Sequence, residues 1–352
     1  MNSVDNRIRN GLIFFYIVSL LVIGGIIYYT ANFETWQQIF RLKLHYILLT
    51  LVLTIVMWFF DFMRIKELAR GIGEDISFPL GFKLVWTNLF LAAVTPFQTG
   101  GGPMQVFLLH RKKVSISRGI VITSMKFIIA LLFFAVISPL IIILYPELLP
   151  QSNFKYVFSY IIFFFALTGI LYIAIILFPK RIKSFLYIII DFLNKFKFIN
   201  KKHTDKLLKF ALKNINEFNT SFRVYLTKGR KNLLLSIIYT ILFLVVQFSI
   251  PVLLIKAFGF EVPFFTIILN QVILTTLMYF TPTPGGSGIA EGGFMILFLR
   301  YVPKYSIGLL ILLWRFFVIY LGVALGLYVF IKVLGQVTLD KIMNVEGEKE
   351  GS

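Results

Sequence analysis

Two short stretches hold most of the side chains in this sequence that could do chemistry. Thr281 to Gly293 reads TPTPGGSGIAEGG, and Thr95 to Gln105 reads TPFQTGGGPMQ. Both interrupt strongly apolar sequence. Pro96, Gly100 and Gly102 in the first, and Pro282, Pro284, Gly286 and Gly288 in the second, break a helix at the tip of each interruption. The polar groups gathered there are Thr95, Gln98 and Gln105 in one stretch and Thr281, Thr283, Ser287 and Glu291 in the other. Irregular backbone survives at membrane depth only when it is buried in protein or lines a wet cavity, and an ionisable side chain there is a functional-site candidate. A cation follows each stretch inside the next apolar run, Lys126 after the first and Arg315 after the second. Two helix N-termini and two buried cations suit an anion, and a phosphate above all. These nine polar and charged side chains form the expected substrate-binding set. The competing readings are packing turns, snorkelling of Lys126 or Arg315 to the interface, and a purely structural Glu291–Arg315 pair.

The elements that would position these groups are membrane helices. Of 352 residues, 58% are hydrophobic and only 14% charged, which points to an integral membrane protein rather than a soluble one with a large core. The absence of cysteine excludes disulfides, zinc–thiolate sites and cysteine nucleophiles. His45, His110 and His203 are scattered without metal-ligand spacing, so neither a metal nor a cofactor is expected. The net charge of +19 fits cytoplasmic loops on anionic lipid, and no soluble module is present to hold nucleic acid.

Taken in order, spanning segments are expected at Gly11–Ala31, Leu44–Met63, Arg118–Leu144, Phe154–Phe178, Asn232–Lys256 and Ser306–Val333. Asp61 is placed at the membrane interface near the end of its segment. Arg64, Lys66, Arg70, Glu74 and Asp75 are placed in a polar loop after it. Shorter apolar pieces, Leu80–Val94 and Phe264–Phe280, run into the two breaks. Pro179 to Lys231 holds 14 Lys/Arg against Asp191, Asp205 and Glu217, with apolar residues at helical spacing. That stretch reads as amphipathic helices on the cytoplasmic membrane surface. Gln247 reads as interhelical hydrogen-bonding glue, which is also the competing reading of Gln98, and the tail is polar and expected to be disordered.

The two stretches align without a gap at an offset of 186 residues, which pairs Thr95 with Thr281 and Gln105 with Glu291. After a further shift of three residues, Lys126-Phe127 falls opposite Arg315-Phe316. The expected fold is therefore an all-α polytopic membrane protein, one transmembrane domain over residues 1–352. It contains repeat unit one (43–146), a basic connector (179–231) and repeat unit two (232–335). The positive-inside rule favours re-entrant hairpins over crossings, because it gathers Arg7, Arg9, Arg64, Lys66, Arg70 and Lys83 on the cytoplasmic side. Three crossings then separate the units, which makes the repeat inverted, with the two Gly/Pro tips meeting near the midplane. Transporters of this design place their site where interrupted helices meet.

TPFQTGGGPMQVFLLHR and PTPGGSGIAEGGF resemble the lysylphosphatidylglycerol synthase transmembrane-region family, over nearly the whole chain. Its members include the flippase-like membrane half of the multiple peptide resistance factor, which confers antimicrobial peptide resistance. The resemblance implies flipping of an anionic or aminoacylated phospholipid, or of a polyprenyl-phosphate-linked lipid, across the cytoplasmic membrane. The alternatives are the membrane part of a phosphatidylglycerol lysyltransferase and a secondary transporter of a small anion. In the fused relatives lysine transfer belongs to a separate soluble domain, which is not expected here, and no catalytic constellation is legible. The expected partners are membrane lipids; the oligomeric state is open.

Overall fold

The computed structural model describes residues 20–148, 178–194, 201–279 and 281–333, together with a few isolated positions. The expected segment at Phe154–Phe178, the start of the first segment and the polar tail fall largely outside the described residues. Those described residues are overwhelmingly helical. Helix α1 is Leu20–Thr30 and α2 is Phe33–Arg41, capped by Asn32, whose carboxamide accepts from the Thr35 N–H at 3.2 Å. The first half continues with α3 (Leu44–Gly71), α4 (Phe78–Val94), a 3₁₀ turn at Pro96–Gln98, α5 (Gly101–His110) and α6 (Ile116–Leu144). The connector supplies α7 (Pro179–Asn194) and α8 (Lys201–Leu226). The second half then gives α9 (Arg230–Ala257), α10 (Phe264–Tyr279), a 3₁₀ turn at Pro284–Gly286, α11 (Ile289–Phe298) and α12 (Lys304–Val333). The order long helix, short helix, turn, short helix, long helix thus occurs twice.

Four of these helices, α3, α6, α9 and α12, are long and apolar enough to cross a membrane. At 1.5 Å per residue their 28 to 30 residues exceed a hydrocarbon core of about 30 Å. The short helices lie beside them in pairs: α4 packs on α5, and α10 on α11. The most extensive helix–helix interface joins α3 to α9, so the equivalent long helices of the two halves form the seam of the molecule. The two 3₁₀ turns touch each other across that seam.

Three sequence expectations need correction. Helix α3 does not stop at Met63 but runs two further turns to Gly71. Arg64, Lys66 and Arg70 are therefore helical, and only Glu74 and Asp75 lie beyond its end. Asp61 is not near the end of its helix and is buried in the protein: it is 3% exposed, and Arg64 is 6% exposed. The third correction concerns register. Backbone conformation pairs Thr95-Pro96 with Thr283-Pro284, because each pair opens a 3₁₀ turn whose second and third residues have positive φ. The gapless alignment is thus two residues out from the tips onward, and Gln105 is not the counterpart of Glu291. The doubled Thr-Pro in TPTP made both registers available to the sequence.

The connector is fastened to the end of α3. Tyr225 is fully buried and donates its hydroxyl to the Leu68 carbonyl at 2.6 Å. Burial pushes its phenol pKa upward, which keeps it a donor. The first turns of α9 are tied to the same end: Asn232 donates to Glu67 Oε2 at 2.7 Å, and Ser236 donates to the Arg64 carbonyl at 3.1 Å.

Candidate functional site

The site is built from two buried ionic clusters and the cavities between them. In the first half, Asp61 and Arg64 lie three residues apart on one face of α3. Arg64 reaches Asp61 Oδ1 through Nε and Nη2, each at 2.5 Å. Lys126, from α6, places Nζ 3.0 Å from the same oxygen and 3.4 Å from Oδ2. The Arg64 guanidinium also lies 4.2 Å from the centroid of the Phe243 ring on α9, a cation–π contact. Two cations thus share one carboxylate, and the cluster carries one net positive charge.

In the second half the balance is neutral and the arrangement closed. Arg315 is completely buried, as is Glu291. Its Nε sits 2.8 Å from Glu291 Oε1, an ion pair without the angle of a directed hydrogen bond. Nη1 and Nη2 both donate to the Gly285 carbonyl at 3.2 Å, and Nη2 also donates to Ser287 Oγ at 3.2 Å. The other oxygen of Glu291 accepts the Gly288 N–H at 2.7 Å and so caps α11. Every polar edge of this pair is spent on holding the tip. A stretch of π-helix, Phe316–Tyr320, begins immediately after Arg315 and widens α12 there.

Two cavities adjoin the first cluster. The outer one, about 850 Å³, is bounded by α4, α5, α6 and the first tip; Arg64, Lys126, Gln98 and Gln105 line it with Phe97, Phe127 and Leu131. Its lining includes two cations and no carboxylate. The inner one, about 150 Å³, lies toward the seam, with Asp61, Arg64, Gln247 and Arg315 in its wall. Arg64, Asn88, Gln98 and Tyr279 line both and form the partition between them. Gly101 lets Asn88 stand there, because a Cβ at that glycine would come within 2.3 Å of the Asn88 side-chain oxygen.

The expected site residues divide accordingly. Lys126, Gln98 and Gln105 reach the outer cavity, although Gln105 also donates to the Leu84 carbonyl at 3.1 Å. Arg315 borders the inner one. Thr95, Thr281, Thr283, Ser287 and Glu291 border neither. Thr95 and Thr281 donate to the Leu91 and Leu277 carbonyls one turn back, and Thr283 donates to the Ser287 carbonyl. These hydroxyls shape the tips. Arg64, Asn88 and Asp61 are the cavity residues that sequence reasoning missed. The signal for the charged pair was their spacing of three on a helix.

The model of the lysylphosphatidylglycerol synthase TM region matches residues 16–326. The chain belongs to that family. It is also 25% identical, over 315 residues, to a UPF0104 membrane protein of Archaeoglobus fulgidus, an alignment covering 88% of this chain and 93% of that protein. The match takes in both tips, both ionic clusters, three of the long helices whole and most of α12, so the cavities described above lie wholly within the family region. The chain is accordingly a membrane protein of a family named for a lipid synthase.

Proposed function

We propose that this protein carries the phosphate headgroup of a lipid across the cytoplasmic membrane, with the outer cavity as the headgroup site. The observation that carries the reading is the cavity wall itself: Arg64 and Lys126 stand there with one carboxylate between them and one charge unmatched. A phosphodiester supplies that charge. Phosphate binding by Arg and Lys is charge-assisted and strong. Phe97 and Phe127 line the same cavity while 54% and 38% exposed, and exposed apolar side chains on a spanning bundle face hydrocarbon. An acyl chain can stay in lipid while its headgroup enters between them, which suits a lipid better than a soluble anion.

In this reading the chain is one transmembrane domain, with units 43–146 and 232–335 joined by the connector 179–231. The two units are inverted relative to each other, and each short-helix pair is a re-entrant hairpin. Contact between the two tips and the recurring element order support that arrangement. The connector lies on the cytoplasmic face.

The test is reconstitution in liposomes with a fluorescent anionic lipid. Losing one charge-assisted hydrogen bond costs about 1.5–3 kcal/mol, so Lys126→Ala is expected to slow flipping roughly 10- to 100-fold. Wild-type flipping no faster than in empty liposomes, or a Lys126→Ala rate equal to wild type, rejects the headgroup site.

A further inference from the structure

The inner cavity holds polar side chains that have no hydrogen-bond partner among the described residues. Asn88, Gln98, Gln247 and Thr275 all line it. None of the four side chains makes a hydrogen bond to another described residue. All four are half-buried, so their polar groups stay open to the cavity. The chemistry of the set is specific. A carboxamide offers donors and an acceptor together, and a threonine hydroxyl does the same. A phosphate only accepts and an ammonium only donates, whereas an alcohol does both. Three carboxamides and one hydroxyl therefore complement hydroxyl groups. The rings of Trp58 and Trp314 complete the wall, and flat apolar faces suit the C–H surfaces of a polyol.

The charges argue in the same direction. Asp61 is the only carboxylate in the inner wall, and Arg64 and Lys126 hold it. Glu291 is taken by Arg315 and by the Gly288 N–H. A cationic headgroup entering past Lys126 would meet Arg64 and Arg315 with no carboxylate left to receive it. The volume, about 150 Å³, holds several waters, which a glycerol or a single sugar could displace.

We propose that the inner cavity is a hydroxyl-binding subsite, so that the headgroup taken is an uncharged polyol joined to phosphate rather than an aminoacylated or other cationic group. This rests on the outer cavity holding the phosphate. Because Arg64, Asn88, Gln98 and Tyr279 form the wall common to both cavities, phosphate and polyol would be read on opposite sides of one partition.

The experiment is binding to the purified protein in detergent, read by native mass spectrometry, with flipping measured in parallel. The ligands are phosphatidylglycerol, phosphatidylmethanol and lysylphosphatidylglycerol. The first has a phosphodiester with free hydroxyls, the second the same charge without them, and the third an added cationic group. Phosphatidylglycerol is expected to bind about tenfold more tightly than phosphatidylmethanol, as loss of two hydroxyl contacts implies, and more tightly than the lysyl lipid. Gln247→Leu is expected to lower the preference for phosphatidylglycerol over phosphatidylmethanol about fivefold. Equal binding of the first two lipids, tightest binding of the lysyl lipid, or an unchanged preference in Gln247→Leu overturns the subsite. The wild-type comparison stands even if that variant does not fold. Selective binding without flipping leaves the subsite in place and removes the translocation reading. A polyprenyl-phosphate hexose and free glycerol 3-phosphate, as competitors, tell a lipid-linked sugar and a soluble phosphate from a phospholipid.

Discussion

The two tips of this molecule open on the same Thr-Pro pair and the same turn but are held in different ways. The second is locked. The positive-φ positions of its 3₁₀ turn are Gly285 and Gly286, which take that conformation without a Cβ penalty, and Arg315 binds the carbonyl of the first of them. The first puts Phe97 and Gln98 at the same positions, with φ of 53° and 55°. Its cations, Arg64 and Lys126, reach past it to Asp61 on α3 and leave an open cavity alongside. One half of the protein thus spends its charges on rigidity and the other keeps a charge in reserve. Repetition of a motif does not imply repetition of a role: the side chain that follows the motif, and the partner it finds, decide what each copy does.

The sharpest way to break the comparison is to ask whether the two halves face opposite sides. Cysteines can be introduced singly because the chain has none of its own. A cysteine at Lys112, just after α5, and one at Lys209 in the connector are expected to label only from the cytoplasm. One at Lys304, at the start of α12, is expected to label only from outside. Labelling of Lys112 and Lys304 positions from the same side would remove the inverted arrangement, and with it the equivalence of the tips.

Next in size is the effect of unlocking the second tip. Arg315→Ala leaves Glu291 charged and buried without its cation, which costs about 3–5 kcal/mol in comparable buried pairs. The expected result is a large loss of thermal stability in detergent, with a smaller loss for Glu291→Gln, which keeps an acceptor for the Gly288 N–H. Lys126→Ala is expected to cost much less stability, because Asp61 keeps Arg64, while flipping falls strongly. If Lys126→Ala and Arg315→Ala unfold equally, the first cluster is as structural as the second and the comparison fails.

Much of this was legible beforehand, for physical reasons that can be named. The two breaks announce themselves because clustered prolines and glycines disfavour a helix far more than the single Pro139 or Pro251 that α6 and α9 absorb, and Lys126 and Arg315 stand out as lone cations in spans. The pair Asp61–Arg64 did not, because hydropathy treats each charge as needing water, whereas opposite charges three apart on a helix satisfy each other and let α3 run on to Gly71. The uncommitted amides were half visible. Gln98 sat in a break, yet both it and Gln247 could be read as interhelical glue, because sequence shows that a polar residue is present and not whether its partner is. The register of the second tip was undecidable from TPTP alone; only the sign of φ at Gly285 and Gly286 chooses between the two threonine–proline pairs.

The smallest expected effect tests why the first tip lacks those glycines. A left-handed conformation costs a non-glycine residue about 1–2 kcal/mol, and glycine loses about 0.5–1 kcal/mol through its freer unfolded chain. Phe97→Gly should therefore stabilise the protein by up to about 1 kcal/mol, seen as a small rise in the thermal midpoint. The converse change at the next position of the second tip, Gly286→Ala, should destabilise it by about 1–2 kcal/mol. It meets nothing closer than the Met278 side chain at 3.4 Å, so the cost is the backbone's own and not a collision. Strain kept at one of two equivalent positions is a reason to look for movement there. If the first tip shifts while the headgroup passes between Phe97 and Phe127, relieving its strain should favour the resting conformation and slow flipping even as stability rises. A Phe97→Gly protein that is both more stable and as fast as wild type would leave the first tip as static as the second, and the difference between them would lie in their cations alone.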